Sequence, residues 1–207
     1  MAVGTQLILA SASPRRLEIL RSLGIDPRVL PADLQEAPRP GESPRETAAR
    51  LALSKALAAA ATLAGSGPAL ILGADTVVVL DGILLGKPAD AADAARMLSF
   101  LSDRVHEVLT ALALYEPAQS RSECGVSTTR VRFRPISDGD IARYVDTGEP
   151  MDKAGAYGIQ GEGGRLVESF EGSYTNVVGL PVELLEELLA RFGLRLRDLA
   201  PHCGGCT

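Results

Sequence analysis

The chain has 207 residues, 46% of them hydrophobic and 23% charged, which suits a self-supporting folded protein and excludes the disordered class. A net charge of −5 argues against a duplex nucleic-acid partner, and 4% aromatic residues with no basic stripe argue against a single-stranded RNA-binding module. The cysteines, Cys124, Cys203 and Cys206, are an odd set with no signal peptide ahead of them, so a reducing, cytoplasmic setting is expected, and apolar runs such as "ALILGA" are too short to cross a membrane.

"QLILAS" reads as a strand, and "SPRRLEILRSLG" as a helix with Ser13 as N-cap, Pro14 at its first position and Gly24 as its stop. A second short strand is expected at 28–30. "SPRETAARLALSKALAAAATLAG" opens with Ser43, Pro44 and Glu46 in capping-box spacing and predicts a long helix. "PALILGADTVVVLDGILLGKP" reads as a long buried strand, an Asp81-Gly82 turn and a short return strand. "DAADAARMLSFLS" predicts a helix, "HEVLTALALYE" and "GVSTTRVRFRPI" a pair of strands compatible with a hairpin, and "SDGDIARYVDTGEP" a helix capped by Ser137. A glycine-rich loop, "DKAGAYGIQGEGG", leads into "RLVESFEGSYTNVVGLP", read as extended, and "VELLEELLARFG" is the last helix. Strand returns mixed with helices predict a mixed α/β fold, one domain over residues 1–195 with 196–207 as a poorly ordered tail.

Three places suggest chemistry. Arg15 and Arg16 in the first turn of a helix oppose its dipole by roughly 0.3–1 kcal/mol each. A bound phosphate would offset that, gathering the turn N–H groups, the Ser11 and Ser13 hydroxyls and both guanidinium groups; the alternative is that both arginines point into water. Asp75, in the middle of an apolar strand, must be hydrogen-bonded, paired or metal-bound, unless it caps a turn or bulge after Gly73. Lys87 follows the return strand and is within reach of Asp75, or is a solvated turn lysine, and Lys55 taken alone reads as a snorkelling surface lysine. In the glycine-rich loop, Gly155, Gly158 and Gly161 permit close approach of backbone to a ligand, Tyr157 offers a ring face and Gln160 an amide; a plain loop is the simpler alternative. His106 beside Glu107 has no nucleophile in context, and "HCGGCT" holds too few ligands, His202, Cys203 and Cys206, for a zinc site.

Taken in order, "LASASPRR", Glu36, "RLALSKA", "LGADTVVVLDG", "GKP", "EPMDKAGAYGIQG" and "SYTNVVGLP" resemble the Maf family of nucleoside triphosphate pyrophosphatases over about residues 6 to 190. The resemblance implies an inosine-triphosphatase-like α/β fold with a mixed sheet, two lobes around an extended cleft, a homodimer and a divalent cation, Mg²⁺ or Mn²⁺. It implies a phosphate-binding turn of Ser11, Ser13, Arg15 and Arg16, with Lys55, Lys87 and Lys153 adding positive charge. Glu36 and Asp75 would hold the metal, with Asp75 as general base for water attacking the α-phosphorus, leaving a monophosphate and pyrophosphate. Clustered cations suit a triphosphate, and paired carboxylates suit a hard, oxygen-seeking metal. Arg15, Thr76 and Gln160 resemble the branch acting on dTTP and UTP, and an amide suits the edge of a pyrimidine, canonical or modified. Gln35 departs from the acidic residue that other members often carry before the glutamate. The rival reading is a nucleotide-binding regulator of cell division with little turnover, against which the retained Glu36, Lys55, Asp75 and Lys87 argue.

Overall fold

A computed structural model describes residues 6–32, 34, 37–63 and 69–199. Strand β1 (Gln6–Ala10) is apolar and buried beyond its first residue, as a strand covered on both faces must be. It lies parallel to β2 (Arg28–Val29) on one side and to β3 (Ala69–Leu80) on the other. From β3 onward the pairing is antiparallel: β4 (Ile83–Leu85) returns on β3, and β5 (Val105–Glu116), β6 (Arg121–Phe133) and β7 (Val167–Glu171) follow, giving the order β2-β1-β3-β5-β6-β7. The sheet is mixed, as expected, and the β5–β6 hairpin forms with β6 starting earlier than the sequence suggested.

The helices form where capping chemistry places them. In α1 (Pro14–Ser22), the Ser13 hydroxyl accepts from the Arg16 N–H; α2 (Pro44–Ala61) carries the full capping box of Ser43 and Glu46; α3 (Ala91–Leu101) and α4 (Asp138–Asp146) are capped by Asp90 and Ser137. One face of the sheet is covered by α2 through its small residues Ala48, Ala52, Ala56 and Ala59. The other is covered at one end by α1 and α6 (Val182–Arg191), with Leu20, Leu185, Leu188 and Leu189 against Leu9, Leu72 and Leu112. At its other end α3 and α4 set Leu98, Leu101 and Ile141 against Val78, Leu80 and Phe133.

Gly73 decides how closely α2 approaches: a Cβ there would lie 2.0 Å from the Ala52 carbonyl oxygen. β3 also outruns its neighbours. β1 pairs with residues 69–73 and β4 with residues 78–80, so among the described residues the intervening stretch 74–77 has no paired strand on that edge. The sheet changes there from parallel to antiparallel pairing, the kind of switch point at which α/β sheets open crevices.

Two expectations need correction. "SYTNVVG", read as extended, contains the short helix α5 (Tyr174–Val178), capped by Ser173 and ended by Gly179 at φ +115°. Tertiary bonds select it: the buried Asn176 amide donates to the Val108 carbonyl and the Thr129 hydroxyl, each at 2.9 Å. Residues 196–199, assigned to the tail, are folded, with a 3-10 turn at Leu196–Asp198 and Leu199 packed into the α1–α6 core.

Candidate active site

A cleft of about 720 Å³ opens at the unpaired edge of β3. Every described residue that the family resemblance assigned to the site lines it: Ser11, Ser13, Arg15 and Arg16 from the β1–α1 turn, Lys55 from α2, Asp75 and Thr76 from β3, Lys87 after β4, and Lys153 and Gln160 from the glycine-rich arm. Glu36, Gln35 and the His202, Cys203 and Cys206 cluster lie outside the described residues.

Asp75 and Lys55 form the centre of one wall. Lys55 Nζ donates to Asp75 Oδ1 at 2.6 Å, and both residues are buried, 7% and 5% exposed. This overturns the snorkelling reading of Lys55: the alanine face of α2 and Gly73 bring the helix so close to β3 that the buried lysine meets Asp75. The turn or bulge reading of Asp75 fails as well, because the β3–β5 register runs unbroken through Asp75 opposite Ala111. Burial of either charge alone would be costly, and the ion pair offsets it.

The two arginines part company. Arg16 turns into the protein, so the reading in which both point into water does not hold. Its Nε donates to the Gly179 carbonyl at 2.8 Å, Nη1 to Ser11 Oγ at 2.8 Å and to the Ala74 carbonyl at 3.1 Å, and Nη2 to Thr76 Oγ1 at 3.1 Å. It thereby ties the β1–α1 turn, the open edge of β3 and the end of α5 together, and these acceptors relieve its conflict with the helix dipole. The relay continues from Thr76 to the Thr110 hydroxyl at 2.9 Å and from Thr110 to the Asn176 carbonyl at 2.8 Å.

Arg15 instead reaches across the cleft, its Nη1 donating to Asp152 Oδ2 at 3.1 Å, while Lys153 Nζ donates to Asp152 Oδ1 at 2.7 Å. Burial raises the Asp152 carboxyl, but Lys153 and Arg15 outweigh it and hold the group below its ordinary value. Asp152 thus occupies cations that the sequence assigned to phosphate. Nothing in the sequence singles Asp152 out, because only the fold places it opposite Arg15. Lys87 is exposed at the rim.

Tyr157, expected to offer a ring face from the loop, does line the cleft, but it is 5% exposed and most of the ring is packed into the core. Its ring packs edge-on against Phe133 at 4.6 Å and His106 at 5.3 Å, and its hydroxyl lies 2.7 Å from His106 Nε2. His106, given no role by sequence, therefore anchors the root of the glycine-rich arm. Burial lowers its imidazole to about 4, so it is neutral at physiological pH.

Among the described residues no group of three or more histidine, cysteine or acidic side chains is arranged to cage a metal. Asp75 is the nominated carboxylate in the described cleft. It is a hard oxygen donor, which suits a cation carried largely by phosphate oxygens and one or two carboxylates rather than by a protein cage.

A model of the family described as Maf-like protein matches residues 6–192. A dTTP/UTP pyrophosphatase of Geobacter metallireducens is 51% identical over 189 residues, covering 91% of this chain and 97% of that protein. Another, of a Shewanella species, is 49% identical over 195 residues, covering 91% and 99%. Among solved structures, the Ham1 protein of Staphylococcus aureus is 16% identical, with a TM-score of 0.49, covering 91% of this chain and 100% of that one.

Proposed function

The chain belongs to the Maf family, and from that premise we propose that it is a pyrophosphatase of pyrimidine nucleoside triphosphates, converting dTTP and UTP to the monophosphate and pyrophosphate. The observation that carries this reading is the buried Lys55–Asp75 pair, which faces the cleft between an arginine-bearing helix N-terminus and a glycine-rich arm with an exposed amide. Relatives about half identical to this chain over nearly their whole length bear that activity in their names.

The N–H groups of the β1–α1 turn, Ser11, Ser13, Arg15, Lys87 and Lys153 bind the triphosphate, with Arg16 holding the turn in shape. Substrate oxygens displace Asp152 from Arg15 and Lys153. Asp75, oriented by Lys55, accepts a proton from the water that attacks the α-phosphorus. The bond from that phosphorus to the bridging oxygen breaks, and pyrophosphate leaves with the electron pair, its charge met by the cationic lining. A divalent cation, Mg²⁺ or Mn²⁺, held by Asp75 and Glu36 would neutralise charge on the phosphates. Gln160 reads the pyrimidine edge with one donor and one acceptor. The working form under this reading is a cytoplasmic homodimer; no described helix is long and apolar enough to cross a membrane.

Purified protein with Mg²⁺ and a panel of dTTP, UTP, 5-methyl-UTP, CTP and 7-methyl-GTP tests it, with products separated by chromatography and the mass in solution measured alongside. Pyrophosphate with dTMP and UMP is the expected result. Orthophosphate would contradict attack at the α-phosphorus, and saturable binding without turnover would favour the regulator.

A further inference from the structure

Gln160 is exposed and stands just before the 3-10 turn Gly161–Leu166, with no side-chain cap bond to fix that turn. Its backbone is nevertheless pinned on both sides by one pair of side chains. Before it, the Gly158 N–H donates to the Tyr144 hydroxyl at 3.3 Å. After it, the Glu162 N–H donates to Glu149 Oε2 at 3.1 Å and the Gly163 N–H to Glu149 Oε1 at 3.3 Å. The two pins are joined, because the Tyr144 O–H donates to Glu149 Oε1 at 2.9 Å. The Glu149 carbonyl also accepts from Lys153 Nζ.

Two glycines of the arm, Gly161 and Gly163, make room for this pair. A Cβ at Gly161 would lie 2.9 Å from Glu149 Oε2, and one at Gly163 would lie 2.4 Å from the Tyr144 hydroxyl. Tyr144 is 5% exposed and Glu149 is half-buried; the bonds at the Tyr144 hydroxyl and from the Gly163 N–H are partly shielded from water, while that from the Glu162 N–H is exposed. Burial first, and the Glu149 bond second, push the Tyr144 hydroxyl up, so it stays a donor at any physiological pH. Neither side chain lines the cleft.

We infer that Glu149, together with Tyr144, is a positioning residue for base discrimination: it clamps the 158–163 backbone so that the Gln160 amide meets the base edge in one place. The inference rests on the pyrimidine triphosphate reading above. A clamp of this kind acts on recognition at the arm, while Asp75 and Lys55 stand on separate elements across the cleft.

Glu149→Gln keeps the size but sets an amide N–H₂ against backbone donors. The test measures kcat and KM for UTP and CTP in the wild type, Glu149→Gln, Gln160→Ala and the double variant. Loss of the clamp should raise KM for UTP about tenfold and erode the UTP-over-CTP preference by a similar factor, with kcat much less affected. In the Gln160→Ala background the same substitution should erode that preference no further, because the clamp acts through Gln160. Equal losses in kcat for both nucleotides with the preference intact, or preference losses that simply add, would overturn the inference. If Glu149→Gln does not fold, Tyr144→Phe removes one hydroxyl from the same clamp and should show the same split at smaller size; an unchanged preference there overturns it equally. A wild type that turns over neither nucleotide overturns the hydrolase reading and this inference with it, and is seen before any variant is compared.

Discussion

On one wall of the cleft Lys55 and Asp75, the side chains proposed for the chemistry, stand on a helix and a strand locked together by an alanine stripe and a glycine. On the other, Lys153 and Gln160 stand on a run of short 3-10 turns held by backbone N–H bonds donated to Tyr144 and Glu149 and by the His106–Tyr157 pair. Regular elements fix a position through packing over many residues, which would suit the proposed attack at one phosphorus atom. An arm pinned at a few polar points can change its sequence between the pins without disturbing the core, which suits recognition of a base.

The contrast is broken most sharply by Asp75→Asn. Turnover of UTP should fall by about 10²–10⁴-fold, the usual worth of a general base, while calorimetry still detects UTP binding and circular dichroism an intact fold. Near wild-type turnover would remove Asp75 from the chemistry.

Lys55→Met probes the packing that defines this wall. It takes one cation away from a buried carboxylate and should cost up to about 3–5 kcal/mol in denaturant unfolding. Lys55→Met with Asp75→Leu should recover much of that stability without recovering activity, which separates the structural from the catalytic share of the pair. A single variant as stable as the wild type would show that the pair carries no burial penalty.

Acid should act on the arm instead. His106 is lowered to about 4 from 6.5 by burial, so the unfolded chain takes up a proton at a pH where the native chain does not. Its contribution to stability is constant above about pH 6.5 and falls by about 1.4 kcal/mol per pH unit between there and about pH 4. The facing Tyr157 hydroxyl is itself pushed up by burial and stays protonated across that window. Urea midpoints of the wild type and His106→Gln over this range check the effect, and parallel slopes would refute it.

The smallest expected change sharpens the recognition side. Gln160→Glu replaces the amide donor with an acceptor and should shift preference away from UTP by roughly tenfold, within the 1–3 kcal/mol that one contact supplies. An unchanged substrate profile would take Gln160 out of base recognition.

Much of the architecture was legible because it rests on local rules. Ser13 with Pro14, Ser43 with Glu46, Ser137 and the Asp81-Gly82 turn set boundaries that the chain obeys, and an aspartate in an apolar strand had to have a partner. α5 was missed because the bonds that stabilise it come from Asn176 to strands β5 and β6, far away in sequence. Asp152, Glu149, Tyr144 and Thr110 escaped notice for the same reason: each is an ordinary polar residue until the fold sets it against Arg15, the arm or Thr76.

By itself, the sequence determined most of the elements and the buried carboxylate, since capping, periodicity and the cost of a lone buried charge act over a few neighbours, while the residues that gather around one cleft followed from the resemblance to the Maf family. Only the tertiary structure decided that Lys55 pairs with Asp75, that Arg16 braces while Arg15 bridges, and that most of the Tyr157 ring serves the core. Those outcomes depend on the close approach of α2 over Gly73 and on the edge left open between β1 and β4, distances that no stretch of chain encodes alone.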